Sequence, residues 1–198
     1  MPMQDDILDI HNFWFGELDA NGLCAPAQQR LWFIKSKSTD ATLRERYTGL
    51  FERAKAGDLD HWADTDLGLI ALIVLLDQFS RNIYRDSAQA FDADPRALKL
   101  ALATITAQRH VGLPTIHQVF LYLPLEHSEN LLLQEQCVTL FEELALRTVD
   151  SWITDFGRYA VAHREVIARF GRFPHRNSIL GRESSPQELD YLETHGGF

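Results

Sequence analysis

The feature that most constrains the fold is an uninterrupted apolar segment in the first half of the chain. Residues 67–76 read Leu-Gly-Leu-Ile-Ala-Leu-Ile-Val-Leu-Leu and include no polar side chain. A helix that is apolar on every face has to be buried, because none of its faces is suited to water. The segment has about half the length that a helix needs to cross a bilayer. It therefore predicts a buried central helix.

The rest of the chain repeats apolar residues at three- to four-residue spacing, which is typical of amphipathic helices. Gly57 and Gly171 are typical residues for the C-terminal end of a helix, and Thr65 is a typical N-cap. Ser185 and Glu188 enclose Pro186 in the pattern of a capping box. No segment favours a β-strand. We therefore predict the all-α class, with eight or nine helices in a single domain over residues 1–198.

Further helix boundaries follow from the same signals. Asp5 and Asp6 are predicted to cap the first helix, and another helix is predicted to begin at Asp40 after a polar connector. Asp94 precedes a proline, a pattern that predicts an N-cap followed by the first helical residue. Pro124 is expected to kink or break its helix, because proline lacks a backbone N–H and clashes with the preceding turn.

The composition excludes several classes of protein. Lys and Arg number 19 against 28 Asp and Glu, and the formal net charge is −9. This balance argues against a general binder of nucleic acid or of anionic membranes, since both attract cations. Cys24 and Cys137 lie far apart and form no CxxC motif, which excludes a disulfide framework and a cysteine-type zinc site. The first residues lack the apolar segment of a signal peptide, so we expect a cytoplasmic protein.

Motifs of common enzyme classes are also absent from the sequence. It contains no GxGxxG, no GxxxxGK[ST] and no GxSxG. Neither a dinucleotide-binding fold, nor a P-loop, nor a hydrolase nucleophile elbow is therefore indicated. We predict no cofactor.

Three blocks of polar residues stand out, and the first directly follows the apolar segment. It contains Asp77, Gln78, Arg81, Asn82 and Arg85. If the helix continues, Asp77 and Arg81 are neighbours four positions apart, and so are Gln78 and Asn82. One interpretation is an ion pair that closes the polar end of a core helix. The other is a site in which Arg81 and Arg85 converge on an anion.

The second block follows Pro124 and contains Glu126, His127, Ser128, Glu129 and Asn130. After a proline it is predicted to start a helix, with Ser128 or Asn130 as the cap. A carboxylate near the first turn interacts favourably with the helix dipole, which gives Glu129 a structural explanation. Capping does not explain His127.

The third block, residues 170–182, is the densest, and we predict a loop because Gly171 and Pro174 stop a helix. Between residues 158 and 182 six arginines oppose one acid, Glu165, so the segment carries a charge of +5. Salt bridges to the acidic remainder of the chain would explain this basic segment, and so would a pocket for an anion. Arginine suits phosphate or carboxylate because its donors meet two oxygens at once.

One more histidine belongs to this set of candidates. His163 lies on the apolar stripe of the long helix that precedes the third block. A single histidine on such a stripe is more often a hydrogen-bonded core residue than a ligand. Alternatively, His163 could join His127, Glu129 and His175 in a metal site, although no ligand spacing such as HExxH supports one.

The three blocks also carry a resemblance to a known family. Leu76–Arg85, Leu121–Glu129 and Phe170–Arg182, together with the opening Phe-Trp-Phe-Gly at 13–16 and Trp62, resemble the domain of unknown function 924 family. The resemblance implies an all-α array of antiparallel helical hairpins, similar to tetratricopeptide-like folds. It implies no particular activity, substrate or cofactor. The sequence has no clean 34-residue repeat, so any likeness to tetratricopeptide repeats is architectural.

The residues favour three functions of different kinds. The first is a pocket that binds an anionic small molecule or peptide, in one version with acid–base catalysis, because histidine titrates near neutral pH. The first alternative is a tetratricopeptide-like module for a protein partner, which exposed tryptophans would favour. The third is a metal-dependent hydrolase. We expect neither nucleic acid nor a membrane as a partner.

The candidate catalytic residues are His127, Glu129, His163 and His175. The candidate ligand-binding residues are Asp77, Gln78, Arg81, Asn82, Arg85, Arg172, Arg176, Asn177 and Arg182.

Overall fold

A computed structural model describes residues 2–148 and 150–196, with side chains from residue 4 onward. The α-helices are α1 Pro2–Trp14, α2 Pro26–Phe33, α3 Lys37–Ala56, α4 Asp66–Ile73, α5 Ser80–Ile83, α6 Asp94–Thr106, α7 Thr115–Glu126, α8 Leu131–Arg147, α9 Ser151–Phe170 and α10 Pro186–His195. A π-helical segment, Val74–Phe79, joins α4 to α5 without a break. If that run counts as one helix, the described residues form nine α-helical segments.

The predicted all-α class is confirmed. The described residues contain no strand, and their one β-type contact is an isolated bridge between Leu18 and Cys24. Short 3-10 turns lie at Asp60–Asp64, Ala88–Phe91, Arg109–Gly112 and Pro174–Arg176.

The chain divides into two compact units. Unit 1 comprises the residues up to Arg85 and Gln89–Pro124, and unit 2 comprises Asp86–Ala88 and the residues from Leu125 onward. In unit 1 the run from α4 to α5 packs against α1, α3 and α6. In unit 2, α8 and α9 form an antiparallel helical hairpin, and α10 packs on the 3-10 turn Pro174–Arg176. The single domain and the tetratricopeptide-like array stay predictions.

The apolar segment forms the predicted buried helix. Every residue from Gly68 to Leu76 is buried, and only Leu67 at its start is exposed. Gly68 allows the close approach of the preceding turn, because a Cβ at this position would collide with the carbonyl oxygen of Trp62. No helix among the described residues combines the length and apolar character needed to cross a membrane. The cytoplasmic location stays a prediction.

The predicted helix ends are confirmed where their signals are strictly local. Gly57 and Gly171 follow α3 and α9 in left-handed conformations, with φ of +96° and +69°. The Thr65 hydroxyl caps α4. Both bonds of the capping box are present: the Ser185 side chain accepts from the backbone of Glu188, and the Glu188 side chain accepts from the backbone of Ser185.

Two predicted helix starts are wrong. Helix α1 begins at Pro2, before Asp5 and Asp6. Helix α3 begins at Lys37, where the side chain of Ser36 accepts from the third following backbone N–H and acts as the cap. Asp40 is therefore not a cap: it lies buried inside α3, and the polar residues predicted as a connector form the first turn.

Two proline signals also acted differently from the prediction. Asp94 is the first residue of α6 and not its N-cap; its carboxylate binds Arg81. Helix α7 continues through Pro124 and ends at Glu126. Because Pro124 lies in the last turn, its missing N–H affects only the end of the hydrogen-bond ladder.

Candidate functional site

The second and third polar blocks meet in unit 2 at the carboxylate of Glu129. This carboxylate accepts a hydrogen bond from the backbone N–H of Phe173 at 2.8 Å. Arg182 donates to its two oxygens at 2.6 and 2.9 Å and also donates to the carbonyl oxygen of Phe173 at 3.2 Å. These contacts bring together residues 44 and 53 positions apart in the sequence. The two blocks therefore lie within reach of each other, as the acid–base hypothesis requires.

The second block is held at the junction of α7 and α8. The fully buried amide of Gln134 donates to the carbonyl oxygens of Glu126 at 2.5 Å and of Ser128 at 2.7 Å. Asn130 caps α8 by accepting from the backbone N–H groups at 132 and 133. The block is thus the end of α7 and the following turn, and the prediction that it starts a helix holds only for the Asn130 cap.

The third block is a loop, as predicted, and side-chain contacts fix it. Arg172 donates to both carboxylate oxygens of Glu188 at 2.6 and 2.7 Å. Asn177 is fully buried and donates from its side chain to the Ser184 hydroxyl at 3.0 Å. Helix α10 therefore restrains the loop through Glu188. The hydrogen bonds of Arg172 hold the pKa of Glu188 at about 2, so this carboxylate is ionised.

Two histidines approach Glu126 at the end of α7. His163 Nδ1 lies 2.8 Å from the carbonyl oxygen of Tyr159 and 3.4 Å from Oε1 of Glu126. Because a carbonyl oxygen only accepts, Nδ1 carries the proton of the neutral imidazole and Nε2 is the acceptor nitrogen. The ring centroids of His127 and His163 are 6.4 Å apart. His163 is thus the hydrogen-bonded histidine of the structural interpretation, but it also adjoins other titratable groups.

The ring of Phe173 lies at the centre of this cluster. It is fully buried, and the ring centroids of His163 and His175 are each 5.6 Å from its own. The guanidinium of Arg176 lies over the same ring, 4.5 Å from the centroid, at a distance typical of a cation–π contact. We use the term Phe173 cluster for Phe173, His127, His163, His175 and Arg176.

The electrostatics of the cluster keep two of its histidines neutral. The pKa of His163 is lowered to about 3, mainly by burial, and the neighbouring His127, Arg176 and His175 act in the same direction. Burial also lowers the pKa of His175 to about 4, with the positive charge of Arg176 as the next cause. At neutral pH both imidazoles are uncharged.

Glu129, unlike these two histidines, is in its charged form. Burial alone would raise its pKa, but the hydrogen bonds from Arg182 and from the backbone of Phe173 outweigh burial and lower the pKa. The carboxylate is therefore ionised and acts as the anchor of the loop. Its predicted part in proton transfer stays a prediction.

In unit 1 the arginines of the first block are paired with carboxylates. Arg81 donates to both oxygens of Asp94 at 3.0 and 3.1 Å and lies 3.5 Å from a carboxylate oxygen of Asp77. Arg85 donates to both oxygens of Asp40 at 2.6 and 2.7 Å. The predicted Asp77–Arg81 ion pair is confirmed. Asp40 and Asp94 complete the network, and the sequence did not single them out as partners.

The amides of the first block join the same network. Gln78 donates to Asp77 at 2.6 Å, and Asn82 donates from its side chain to the carbonyl oxygen of Gln78 at 3.1 Å. Asn82 also accepts from Arg85 at 2.7 Å. These contacts are those expected of the polar end of a core helix. The ligand-binding role of the block stays a prediction.

Sequence reasoning did not assign roles to two residues of the cluster region. Glu126 was noted only as part of its block, yet its side chain is buried beside His163. Phe173 has no ionisable or hydrogen-bonding side chain, so it was not a candidate site residue. Only the alternation of aromatic and cationic residues around it indicated that its loop packs inward. Gln134 lies in α8 beyond the second block, and its hydrogen bonds to the carbonyl oxygens of Leu125, Glu126 and Ser128 depend on tertiary packing.

Two observations bear on the other predicted functions. Across the described residues, no group of three or more His, Cys, Asp and Glu side chains is arranged to hold a metal ion. Glu129, which the predicted metal set requires, is engaged by Arg182. Trp14 and Trp62 are buried, so neither supplies the exposed tryptophan that would favour an interaction module.

The helices and the meeting of the polar blocks define an all-α protein with a buried aromatic, histidine and arginine cluster. The sequence matches the family described as bacterial protein of unknown function (DUF924) over residues 10–196, and the chain belongs to this family. The resemblance seen in the sequence is thereby confirmed.

A solved structure supports the same assignment. A protein of unknown function from Agrobacterium tumefaciens is 32% identical, with a TM-score of 0.82, over 97% of this chain and 99% of that one. The search of curated proteins gave no significant match.

Proposed function

We propose that unit 2 binds an anionic small molecule at the Phe173 cluster and takes up protons as it binds. The observation that carries the proposal is the meeting of the second and third blocks at Glu129, beside which His163, His175 and Arg176 lie against the ring of Phe173 and His127 lies beside His163. Phosphate and carboxylate groups are the ligand chemistry that such residues recognise.

Among the arginines of the loop, we assign the anion to Arg176. Arg172 and Arg182 direct their guanidinium groups at Glu188 and Glu129, where each makes two hydrogen bonds to a carboxylate. Arg176 lies over the Phe173 ring, next to which His163 and His175 also lie. An arginine stacked in this way keeps its donors in the plane of the guanidinium, the geometry that meets two oxygens of an anion.

The histidines supply the proton linkage. Their pKa values are low because they are desolvated and because each feels the positive charge of its neighbours. A bound anion would offset that repulsion and raise the pKa of His163 and His175. Protonation and anion binding would then favour each other, so affinity should increase as the pH falls.

The proposal is tested by calorimetric titration of inorganic phosphate and of succinate between pH 8 and pH 5.5, ionic strength held constant. We expect binding of at least one probe to tighten toward acid pH, with net proton uptake seen in buffers of different ionisation enthalpy. Arg176→Gln should reduce the affinity at least about tenfold, since a charged bidentate contact is lost. Arg158→Gln removes an arginine that is 76% exposed and should leave binding unchanged.

Binding of neither probe at any pH would contradict the proposal. Equal losses of affinity in Arg176→Gln and Arg158→Gln would also contradict it, because binding would then depend only on the net charge of the protein. Far-ultraviolet circular dichroism of Arg176→Gln establishes that the variant is folded before its affinity is compared.

A further inference from the structure

A groove runs along the surface of the α8–α9 hairpin, separate from the Phe173 cluster. Its volume is about 330 Å³, and it is lined by Phe141, Glu142, Ala145, Thr154, Gly157, Arg158 and Val161. Phe141 forms its floor and stacks on Phe156 with ring planes within 4° and centroids 6.2 Å apart. The floor is therefore apolar and rigid, and a charged residue from each helix stands at the groove.

Gly157 keeps the groove open. Glycine is one of the poorest helix formers, and Gly157 lies within the 20-residue helix α9. A Cβ at this position would lie 3.7 Å from the Cβ of Phe141, which is an ordinary contact. The packing of the hairpin does not require glycine here. A side chain would instead fill the groove, so the residue suits a surface that another chain approaches closely.

The two helices carry opposite charge patterns. Helix α8 has Glu135, Glu142 and Glu143 against one arginine, whereas α9 has three arginines against two acids. Phe141 on α8 lies against Phe156 and Gly157 on α9, and Glu142 and Arg158 are the next residues on the two helices, so the two charged residues lie at nearly the same level of the groove. The hairpin is thus charge-complementary to a second copy of itself.

Symmetry fixes how such a copy would fit. A two-fold axis parallel to the helices places α8 of one copy against α9 of the other, in antiparallel orientation. Because Glu142 and Arg158 share one level, this operation brings Glu142 of each copy opposite Arg158 of the other. The alternative axis, perpendicular to the helices, would set α8 against α8 and oppose like charges.

We infer that the α8–α9 groove is the contact surface of a two-fold dimer, with the second copy packing over Gly157 and pairing Glu142 with Arg158 twice. Arg158 also contacts Asp155 at 2.7 Å in the single chain. Both side chains of that pair are exposed, so the pair contributes little to stability and does not prevent Arg158 from contacting the other copy. Leu146, which is 88% exposed one turn after Glu142, would be covered at the same time.

The test is sedimentation velocity of the full chain over concentrations from about 1 to about 100 µM, a range that resolves a micromolar dimer. The wild type should sediment as a concentration-dependent dimer. Glu142→Arg and Arg158→Glu should each weaken the dimer at least about tenfold, because each opposes like charges twice. The double variant exchanges the charges and should restore association. Glu143→Arg, an exposed α8 residue that does not line the groove, is the matched control.

A wild type that stays monomeric across the range overturns the inference. A dimer that survives both single charge reversals, or that the double variant fails to restore, also overturns it, because association would then use another surface. All three substituted positions are exposed, and far-ultraviolet circular dichroism spectra that match the wild type verify that the variants are folded.

Discussion

At the level of single residues, four of the predicted ligand-binding arginines bind carboxylates of the same chain. Arg81, Arg85, Arg172 and Arg182 each bind both oxygens of a carboxylate within their own unit. The basic segment from 158 to 182 is therefore explained in part by internal salt bridges, the structural alternative that its charge had suggested. Charge counting could not identify the partners, because they come from distant parts of the sequence.

The Glu129–Arg182 contact is expected to stabilise unit 2. Arg182→Gln removes two charged hydrogen bonds and leaves the half-buried Glu129 with the Phe173 N–H as its remaining partner. We expect the free energy of unfolding to decrease by about 1 to 2 kcal/mol. The decrease should not be larger, because both side chains are about a quarter exposed and water screens the pair. Urea unfolding followed by tryptophan fluorescence measures it.

Arg158→Gln provides the comparison for this prediction. Its pair with Asp155 is exposed and lies within one helix, so the change in stability should stay below about 0.5 kcal/mol when it is measured at protein concentrations too low for the proposed dimer. Equal losses in the two variants would mean that Arg182 contributes no more than a surface charge.

At the level of secondary structure, helix ends were predicted well where one residue decides them. Thr65, Gly57, Gly171 and Ser185 act within one helical turn of their own position. The start of α3 was mispredicted because Ser36 and Asp40 are both good caps by type, and only packing selects between them. Asp40 is drawn into the interior by Arg85.

The capping box at the start of α10 gives a local prediction. Ser185→Ala removes the acceptor for the backbone N–H of Glu188 while leaving the Glu188–Arg172 pair intact. Loss of a serine cap destabilises a helix by about 1 kcal/mol. We expect the amides of α10 to exchange with deuterium roughly fivefold faster, since 1 kcal/mol corresponds to that factor in an opening equilibrium.

Ser178→Ala is the control for the capping experiment, because Ser178 is exposed in the neighbouring loop. Its effect on the exchange of α10 should be small. If Ser185→Ala left the exchange of α10 unchanged, the Arg172–Glu188 pair alone would account for the docking of the helix.

At the level of the whole molecule, each unit contains a buried histidine with a strongly lowered pKa. The pKa of His117 in unit 1 is lowered to about 3, mainly by burial, and the adjacent His11 acts in the same direction. The pKa of His163 in unit 2 is also about 3. In the unfolded chain both groups return toward 6.5. The unfolded state therefore binds protons that the folded state does not.

Acid should destabilise the protein for this reason. The contribution of each histidine is complete above pH 6.5 and is lost as the pH falls from 6.5 toward about 3. At pH 5 the loss is roughly 2 kcal/mol for each histidine, from 1.36 kcal/mol per pKa unit. The urea midpoint should therefore be lower at pH 5 than at pH 7.5.

A glutamine variant tests whether His163 contributes to this pH dependence of stability. His163→Gln should flatten the decrease, because the variant has one fewer group to protonate on unfolding, whereas replacement of the exposed His195 should not. Urea midpoints that do not change between the two pH values would show that the folded state accommodates both imidazolium ions.

The amino-acid sequence by itself determined the all-α class, the buried position of residues 67–76, the helix ends with strictly local signals and the family. These features depend on residues within a few positions of one another, where periodicity and capping act. Tertiary structure alone decided which distant carboxylates bind Arg81, Arg85, Arg172 and Arg182 and made the histidines neutral. Glu129 meets Arg182 across 53 positions, and His163 is buried beside Glu126 of the second block and Phe173 of the third. Hydrogen bonding and desolvation depend on distance in space, which spacing along the chain does not specify.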